Sequence, residues 1–502
     1  MTAAPIPGWA RRGRRRRFIP DQAETWAFLQ GLAGRPPIET QISVVFVGED
    51  TVWKLKRAVR LGFLDFTAVD ARRHFLRREL ALNAPGAPGL YRDVVPVTRS
   101  AGGLTLGGSG TPIDWVLRMA RIPAADFLDV RAEAGPLDPA MLDALGDMVA
   151  AAHGRLAPES LDDPAAAMRR SVQTNAQAAL ASGLPPSAVA IWRQAALARA
   201  ERCAPLFAQR AAAGLVRRAH GDLHLGNICL WQGRPVPFDA LEFDETMATI
   251  DLGYDLAFLL MDLDRRAGRA AANRVLNRYV ARTGDAGLVA LLPLFLSRRA
   301  MVRAHVAGGA VGADYLAAAL SHIQPTPGCV VAIGGLPGAG KSTLARALAP
   351  GLGPAPGALV VRSDEVRKRL HGVAPEQRLP PAAYSGEANQ RVDAELLESV
   401  RQAGDHAVIV DATFLDVGLR QAVAGIGRPF VGIWLEAPLD ELARRVAARS
   451  GDASDATPDV LRRLAVRSPG AGDWHRVEAD SDAVGKVAAL VKRHTGITCA
   501  DI

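Results

Sequence analysis

The sequence contains few cysteines, few aromatic residues and no long apolar run. Its cysteines, at positions 203, 229, 329 and 499, number only four in 502 residues and show no C-x-x-C spacing, which argues against a disulfide framework and a zinc site. Aromatic residues make up 5% of the chain, too few for a mostly β protein. The longest apolar stretch, Leu288 to Leu296, is broken by Pro293, whereas a membrane helix needs ~20 apolar residues. We therefore predict a soluble, cytoplasmic protein with reduced thiols and no membrane contact.

Positive charge is concentrated near the amino terminus. The formal net charge is +8, and six arginines lie between Arg11 and Arg17 without an intervening acid, so the rest of the chain is nearly neutral. Residues 1–20 are interpreted as a basic, disordered tail; the alternative is an arm that binds nucleic acid. Only six residues of the chain are lysines, so each lysine is informative.

A change of pattern at residues 324–328 divides the chain. Two prolines and a glycine interrupt the helical patterning there. Residues 325–502 then alternate between apolar strand patterns and helix patterns, which predicts a parallel α/β sheet. Residues 21–324 instead begin with strand patterns, over about 35–120, and continue as alanine-rich helices over about 121–324. The sequence thus predicts an α/β multidomain protein whose first domain has a small α+β lobe and a helical lobe.

The small lobe carries two local signals. Residues 42–47 and 51–56 are strand patterns separated by a glycine-containing turn, which predicts a β-hairpin. A helix is predicted over residues 68–83, with Thr67 and Asp70 spaced as a capping box.

The segment that begins at Gly335 is a complete G-x-x-x-x-G-K-[ST] phosphate loop, the Walker A motif. It follows an apolar strand pattern and precedes a helix pattern, which is the context that the motif requires. Glycines let backbone N–H groups surround phosphates, and the helix amino terminus adds positive potential. Lys341 is placed to contact the β- and γ-phosphates of ATP, and Ser342 to hold Mg²⁺. The predicted nucleotide-contacting residues are Gly335, Leu336, Pro337, Gly338, Ala339, Gly340, Lys341, Ser342 and Thr343.

Candidate catalytic residues follow the next strand patterns. Residues 358–362 form a strand pattern that ends just before Asp364 and Arg367, and ligands of open α/β sheets bind beyond such strand ends. Asp364 is a candidate base for an acceptor hydroxyl, and Arg367 a candidate ligand of an anionic group on the acceptor. The alternative for Asp364 is a helix cap. Asp411, at the end of a further strand pattern, is a candidate Mg²⁺ ligand.

A basic segment follows the fourth strand pattern of this domain. Its Arg445 and Arg449 are candidates for a lid that closes over the nucleotide; the alternative is a solvated helix face. The phosphate loop, the Asp-x-x-Arg sequence and this segment together resemble the small-molecule and polynucleotide kinase branch of P-loop proteins. The resemblance covers about residues 328–500 and implies ATP-dependent phosphoryl transfer to an acceptor.

A second kinase signal lies in the first domain. Residues 220–227 read His-Gly-Asp-Leu-His-Leu-Gly-Asn and match the H-x-D-x-x-x-x-N spacing of a kinase catalytic loop. In such a loop Asp222 orients or deprotonates the substrate hydroxyl, and Asn227 is a ligand of Mg²⁺. Asp239, at the end of an apolar stretch that follows, is the candidate second metal ligand. Carboxylate and amide oxygens of this kind suit Mg²⁺.

A kinase-like site also needs a lysine for the α- and β-phosphates and a helix glutamate to hold it. Lys54 and Lys56 lie on one face of the predicted strand together with Val52. Lys54 is preferred as the phosphate lysine, because Val52 then occupies the adenine pocket, which needs an apolar side chain. Glu79, on the following helix, is its predicted partner; the alternative is a surface ion pair with neighbouring arginines.

The catalytic-loop sequence H-G-D-L-H-x-x-N resembles that of the aminoglycoside phosphotransferase family and its choline-kinase relatives, whose fold is protein-kinase-like. The resemblance implies that Asp251 and Asp255 support the catalytic loop. The sequence shows no glycine-rich phosphate loop before Lys54, and no acidic substrate loop can be picked out. The domain order over almost the full chain is similar to that of bacterial fusions of an aminoglycoside phosphotransferase-like domain with a P-loop kinase or AAA-type ATP-binding domain.

These features predict an ATP- and Mg²⁺-dependent phosphotransferase, a kinase with two nucleotide sites, whose partner is a small molecule with a hydroxyl group. One alternative is a polynucleotide 5′-hydroxyl kinase, for which the basic tail supplies affinity. Another is a P-loop ATPase regulated by a non-catalytic kinase-like module. The near-neutral charge outside the tail and the scarcity of aromatic residues disfavour the nucleic-acid alternative. The identity of the acceptor and the oligomeric state are not readable from the sequence.

Overall fold

An antiparallel sheet with helices, a helical lobe and a parallel sheet follow one another along the chain. The computed structural model describes residues 22–61, 64–449, 451–467 and 474–499. The basic tail predicted over residues 1–20 lies outside these ranges. Within them, no helix is both long and apolar enough to cross a bilayer. The order of elements confirms the predicted α/β multidomain fold class.

The small lobe consists of antiparallel strands with a helix against each face of the sheet. Its elements are α1 (Ala23–Ala33), β1 (Ile38–Glu39), β2 (Ser43–Val47), β3 (Thr51–Lys56), β4 (Arg60–Leu61), β5 (Leu64–Asp65), α2 (Val69–Asn83), β6 (Tyr91–Ser100), β7 (Gly103–Leu106) and β8 (Thr111–Ala120). The main sheet has the order β1-β2-β3-β8-β6-β7. Val44, Leu55 and Val116 pack with Leu29 of α1 on one face.

The predicted hairpin is confirmed as β2 and β3, and its register orients a candidate lysine. Lys54 lies opposite Val45 of β2 and opposite Leu117 of β8. Cross-strand partners share a face of the sheet, and Leu117 packs in one cluster with Leu76 of α2. Lys54 therefore faces α2.

Helix α2 confirms the predicted helix, but the predicted capping box is wrong. Ala68 flanks the first turn, and no side chain caps the helix. The Thr67 hydroxyl instead donates to Asp65 Oδ1 at 2.6 Å. A carboxylate two residues earlier in the chain thus engages the hydroxyl that the capping box needs, which is the usual competition between local hydrogen bonds at a helix start.

The helical lobe surrounds one almost completely buried helix. Its helices are α3 (Leu128–Ala134), α4 (Pro139–Gly154), α5 (Pro164–Ala181), α6 (Pro186–Arg202), α7 (Ala204–Ala212), α8 (Glu245–Ala248), α9 (Leu252–Arg266), α10 (Arg269–Thr283), α11 (Leu292–Ala307) and α12 (Gly309–Ile323). Its strands are β9 (Val216–Arg218), β10 (Ile228–Trp231), β11 (Arg234–Pro237) and β12 (Thr249–Asp251). Every residue of α9 from Leu252 to Leu263 is buried, so α9 is the centre of the lobe.

The second domain is a parallel sheet with helices. Its elements are β13 (Val330–Gly334), α13 (Lys341–Leu348), β14 (Leu359–Arg362), α14 (Ser363–Leu370), α15 (Gly386–Gln402), β15 (Val408–Asp411), α16 (Val417–Ala424), β16 (Phe430–Glu436), α17 (Leu439–Ala447), α18 (Pro458–Ala465), β17 (His475–Glu478) and α19 (Ala483–Thr495). The parallel strands have the order β14-β15-β13-β16-β17. The chain crosses to opposite sides of β13, so the carboxyl end of β13 is the switch point where such sheets bind ligands.

Helix α10 of the first domain covers the edge strand β14 of the second. Asn277 accepts a hydrogen bond from the Val360 N–H at 2.7 Å, and Asn273 and Asn277 donate to Ala358 O at 3.0 and 3.3 Å. These amides satisfy backbone groups that an edge strand otherwise leaves open. Buried apolar residues of the helical lobe and of the parallel sheet also belong to one cluster. The two domains therefore share part of their core.

We expect Asn277→Ala to loosen this edge in the full-length protein. The Val360 N–H loses its acceptor, and an unsatisfied buried amide costs about 1–3 kcal/mol. The urea midpoint of unfolding should fall, and amide hydrogen exchange over residues 358–362 should accelerate. The matched control Gln177→Ala removes an amide from an exposed position of α5 and should change neither quantity. Wild-type exchange rates in Asn277→Ala would contradict the role assigned to this side chain.

Candidate active sites

The predicted phosphate loop joins β13 to α13, at the carboxyl end of the central strand. Gly338 and Gly340 both have a φ of +88°, which residues with side chains seldom adopt. A Cβ atom at Gly338 would lie 2.7 Å from Leu442 O of α17, so glycine lets the loop approach that helix. Lys341 reaches back and donates to Leu336 O at 3.2 Å. Loss of hydration lowers the pKa of the Lys341 ammonium from its ordinary value.

Ser342 and Asp411 form a pair of oxygen ligands beside this loop. Ser342 Oγ donates to Asp411 Oδ2 at 2.6 Å, and Arg362 Nε contacts the same oxygen at 3.2 Å. Asp411 ends β15, the strand next to β13. The structure thus brings together the two residues predicted to hold Mg²⁺ in this domain. Thr343, also predicted to contact nucleotide, is exposed on the first turn of α13.

Asp364 lies in the first turn of α14, directly after β14. Ser454 lies close enough to lower the pKa of the Asp364 carboxyl, and Lys341 and Arg362 lie within electrostatic range of it. Burial raises the pKa of Asp364, and the negative charge of Asp411 raises it further, against the lowering effect of the two cations. No side chain caps α14, so the structure does not contain the helix cap that was the alternative for Asp364.

Arg367 is on the same helix but is buried among other partners. Its Nη1 donates to Ala383 O at 2.7 Å and its Nη2 to Asn389 Oδ1 at 2.8 Å. Its guanidinium lies 4.6 Å from the ring centroid of Tyr384. The structure therefore brings Asp364 to the phosphate loop and places Arg367 against residues 383–389.

The lid segment runs from α17 to α18, and its predicted arginines lie at the phosphate loop. Arg445 Nη1 is 3.5 Å from Gly338 O, and its Nη2 pairs with Glu441. Arg449 acts electrostatically on Lys341, whose pKa its positive charge lowers. Both arginines are thus placed to add positive charge where a nucleotide's phosphates would lie.

In the first domain, Lys54 lies between two carboxylates. Its Nζ pairs with Glu79 Oε1 at 2.6 Å and also with Asp239. Burial lowers the pKa of Lys54, but the charges of Asp239 and Glu79 outweigh this effect and hold it well above its ordinary value. Glu79 is fully buried, so it is not part of the surface ion pair that was its alternative.

A second lysine of β3 lies deeper than Lys54. Lys56 Nζ pairs with Glu79 Oε2 at 2.6 Å and with Glu242, and its side chain is 1% exposed, against 10% for Lys54. Asp239, the other partner of Lys54, has a side chain that is 36% exposed. The open end of the cluster is therefore at Lys54, which favours Lys54 over Lys56 as the lysine that meets a nucleotide.

Asp255 of α9 binds the backbone of the catalytic loop, residues 220–227. The Asp255 carboxylate accepts hydrogen bonds from His220 N at 3.1 Å and from Gly221 N at 2.9 Å. Asn227 Nδ2 donates to Asp222 Oδ2 at 3.0 Å. The Asp222 side chain is 44% exposed, so its carboxylate remains accessible to a substrate. Asp255 thus supports the loop, as the family resemblance implied.

His220 and Asp251 have structural positions. His220 Nε2 donates to Phe238 O at 2.9 Å, which links the catalytic loop to the residue before Asp239. Burial lowers the pKa of His220, which favours the neutral ring. Asp251 caps α9 and pairs with Arg210 at 2.7 Å. Asp251 therefore supports the start of the central helix and makes no hydrogen bond to the loop.

The small lobe has no glycine at the position of a kinase phosphate loop. Residues 40–42, Thr-Gln-Ile, connect β1 to β2, where protein kinases carry a glycine-rich loop over the phosphates. A nucleotide in this domain would depend on Lys54 and on a metal ion for phosphate binding.

The donors at both sites fit Mg²⁺. One site offers Asp222, Asn227 and Asp239, and the other offers Ser342 and Asp411, all with the oxygen ligands that Mg²⁺ prefers. Among the described residues, no group of three or more His, Cys, Asp or Glu side chains could by itself hold a metal ion. Mg²⁺ usually takes one or two carboxylates and completes its shell with water and substrate phosphates, which agrees with these small donor sets.

Three polar residues of the second site were not predicted. Arg362 ends a buried strand and is itself only 4% exposed; a charged residue at the end of an apolar strand pattern is the signal that was missed. Lys368 is one of only six lysines in the chain, and that scarcity was its signal. The pairing of Asp455 with Lys368 had no signal, because the two residues are 87 positions apart in sequence.

The two lysines of β3 should respond differently to replacement. Lys54→Met should weaken Mg²⁺-ATP binding to the first domain at least tenfold, while Lys56 still neutralises Glu79 and the fold persists. Lys56→Met leaves Glu79 and Glu242 short of a cation, and breaking such a buried pair costs about 3–5 kcal/mol. It should therefore lower the melting temperature far more than Lys54→Met does.

Calorimetry and thermal unfolding of the full-length protein, both in a Lys341→Ala background that silences the second domain, separate these effects. Equal melting temperatures for the two variants, or unchanged nucleotide affinity in Lys54→Met, would contradict the assignment.

The chain is similar to several known proteins. Residues 330–467 match the family model described as an AAA domain. A cytidylate kinase of Methanopyrus kandleri is 33% identical over 141 residues, which cover 27% of this chain and 69% of that protein. An uncharacterised protein of Mycobacterium tuberculosis is 29% identical over 479 residues, which cover 88% of this chain and 91% of that protein. The crystal structure of an aminoglycoside phosphotransferase is similar with a TM-score of 0.35 and 14% identity, covering 60% of this chain and 96% of that one.

The matches to the AAA domain model and to the cytidylate kinase confirm the P-loop domain that the motifs indicated. The chain belongs, through its carboxyl-terminal domain, to the P-loop kinases of the AAA domain family.

Proposed function

We propose that the protein is an ATP- and Mg²⁺-dependent phosphotransferase with two nucleotide sites, which transfers the γ-phosphate of ATP to hydroxyl groups of small molecules in the cytoplasm. Each site would have its own acceptor, since each has its own candidate base. A polynucleotide acceptor is the alternative that the experiment below distinguishes.

One observation carries the proposal: the carboxyl end of the parallel sheet collects the groups that phosphoryl transfer needs. Lys341 lies in the phosphate loop, Ser342 and Asp411 are joined at 2.6 Å, and Asp364 lies within electrostatic range of Lys341. Phosphoryl transfer depends mainly on positioning and on neutralising charge. Asp364, in the first turn after β14, is the candidate base that accepts the proton of an acceptor hydroxyl.

The residues have distinct tasks in this mechanism. Lys341 and the loop backbone bind the β- and γ-phosphates, while Arg445 and Arg449 of the lid segment add positive charge beside them. Ser342 and Asp411 would hold Mg²⁺, which neutralises phosphate charge. Asp364 accepts the proton of the acceptor hydroxyl as that oxygen attacks.

In the first domain, Asp222 has the corresponding role of orienting and deprotonating a hydroxyl. Lys54 contacts the phosphates and is held by Glu79, and Asn227 and Asp239 would hold the metal ion. The carboxylates of Asp222 and Asp239 are partly exposed, so a substrate and a metal ion can reach them, which supports catalysis here.

A regulatory role for the first domain is the second candidate. The glycine-free connection of residues 40–42 favours it, because nothing of the β1–β2 turn resembles a loop that encloses phosphates. In that case the first domain binds a ligand and the second domain alone transfers phosphate.

Labelled ATP offered with small-molecule, RNA and protein fractions of the cell tests these functions. We expect the full-length wild type to label a small molecule, Lys341→Ala to lose the product of the second domain, and Asp222→Asn to lose that of the first. Lys486→Ala, which removes an exposed lysine of the second domain, is the matched control and should retain both products. Label in RNA alone would establish the polynucleotide alternative, and wild-type labelling by Asp222→Asn would establish the regulatory one.

The acidic limb of the second site's pH profile should be displaced upward. A base must be deprotonated, and burial together with Asp411 raises the pKa of Asp364 above the ordinary 3.8. In an Asp222→Asn background, transfer should therefore fall as the pH drops through a value higher than that of an exposed aspartate. Asp364→Asn should lower transfer by roughly 10²–10⁴-fold and leave ATP affinity unchanged. An unshifted limb, or full activity of Asp364→Asn, would exclude Asp364 as the base.

A further inference from the structure

The lid loop, residues 452–455, places a carboxylate among three hydrogen-bond donors. Asp455 Oδ2 accepts from Lys368 Nζ at 2.6 Å, from Tyr384 Oη at 2.7 Å and from Leu379 N at 3.0 Å. An ammonium, a hydroxyl and a backbone N–H directed at one point are groups with which proteins bind phosphate or carboxylate. These three donors are called the anion cage below.

The anion cage lies beside the proposed base. Ser454, the residue directly before Asp455, lies close enough to Asp364 to lower the pKa of its carboxyl. At the other end of the lid loop, Asp452 pairs with Arg362 at 3.1 Å, where β14 ends. The lid loop thus extends from the end of β14, past the base, into the cage. This is the region in which an acceptor must place its hydroxyl.

Lys368 depends on Asp455 for its counter-charge. The Lys368 side chain is 1% exposed, and among the described residues Asp455 is the acid that pairs with it. Its other hydrogen bond goes to the carbonyl oxygen of Gln377. An ammonium buried without a partner is strongly unfavourable. Asp455 can therefore leave the cage readily only when another anion enters it.

Arg367 shapes the cage from outside. Its guanidinium is engaged by Ala383 O and Asn389 Oδ1 and lies 4.6 Å from the Tyr384 ring. It therefore holds the tyrosine of the cage in place, while Lys368 supplies the charge.

We propose that the anion cage binds a phosphate or carboxylate group of the acceptor alcohol, and that Asp455 occupies the cage until that group arrives; this rests on the transferase function proposed above. Selection of the acceptor and release of the lid loop are then one event. A neutral alcohol cannot take the place of Asp455, because Lys368 would then lack a counter-charge, whereas an anionic alcohol replaces Asp455 and frees the loop.

The test is an anion titration of the full-length protein saturated with Mg²⁺ and the non-hydrolysable β,γ-imido analogue of ATP, which fills both nucleotide sites. Inorganic phosphate and, in a parallel arm, acetate are titrated at constant ionic strength, and the melting temperature is followed. Asp455→Ala leaves the cage vacant, so we expect its phosphate response at concentrations at least tenfold below those needed by the wild type. A response to phosphate alone indicates a phosphate ester as acceptor, and a response to acetate indicates a carboxylic acid.

Two further variants and one further measurement make the test decisive. Asp459→Ala removes an exposed acid of the same lid segment, paired with Arg462, and should respond as the wild type does. Asp455→Ala combined with Lys368→Met should lose the response. In the wild type, phosphate should accelerate amide exchange over residues 451–457 as the lid loop is displaced; this measurement needs no variant to fold.

An Asp455→Ala response equal to that of Asp459→Ala, or lid exchange that phosphate does not change, would overturn the proposal. The titration involves no transfer reaction, so it can fail while the labelling experiment succeeds, and the reverse. The two proposals are thereby tested separately.

Discussion

A buried charge needs a partner of opposite sign, and both candidate sites of this protein are organised by that requirement. In the first domain Lys54 and Lys56 are buried with Glu79 between them. In the second, Arg362 lies within reach of Asp411 and Asp452. Leaving any of these ions alone would cost far more than the pair itself contributes. Each ion pair joins residues of different elements, so pairing the charges also fixes how those elements lie relative to one another in each site.

Much of the fold was predictable because its signals are local. The phosphate loop is a contiguous sequence, and the strand patterns on either side of it need only a few residues to be recognised. The same holds for the kinase-like spacing of Asp222 and Asn227. The capping box of α2 shows the limit of local reasoning: Thr67 had two possible partners within a few residues, and its hydroxyl donates to Asp65. Spacing alone does not rank two competing hydrogen bonds.

The parts of the sites that escaped prediction are joined over long distances in sequence. Lys56 meets Glu242 across 186 positions, and Lys368 meets Asp455 across 87. Such pairs follow from how the elements pack, so a single sequence names the two charges without indicating that they belong together. Lys54 could be favoured over Lys56 from the position of Val52 two residues earlier on β3, because that choice depends only on neighbouring residues of one strand.

The amides of Asn273 and Asn277 bind backbone groups at the edge of β14. This contact limits where such a two-domain chain can be divided by recombination. The linker at residues 324–328 looks like a boundary at which genes could be joined or divided. A recombination event there would separate β14 from its covering helix and leave a bare strand edge, which favours pairing with other chains. Successful exchange between relatives would have to carry α10 and β14 together, so the unit that evolution can move intact is larger than either domain.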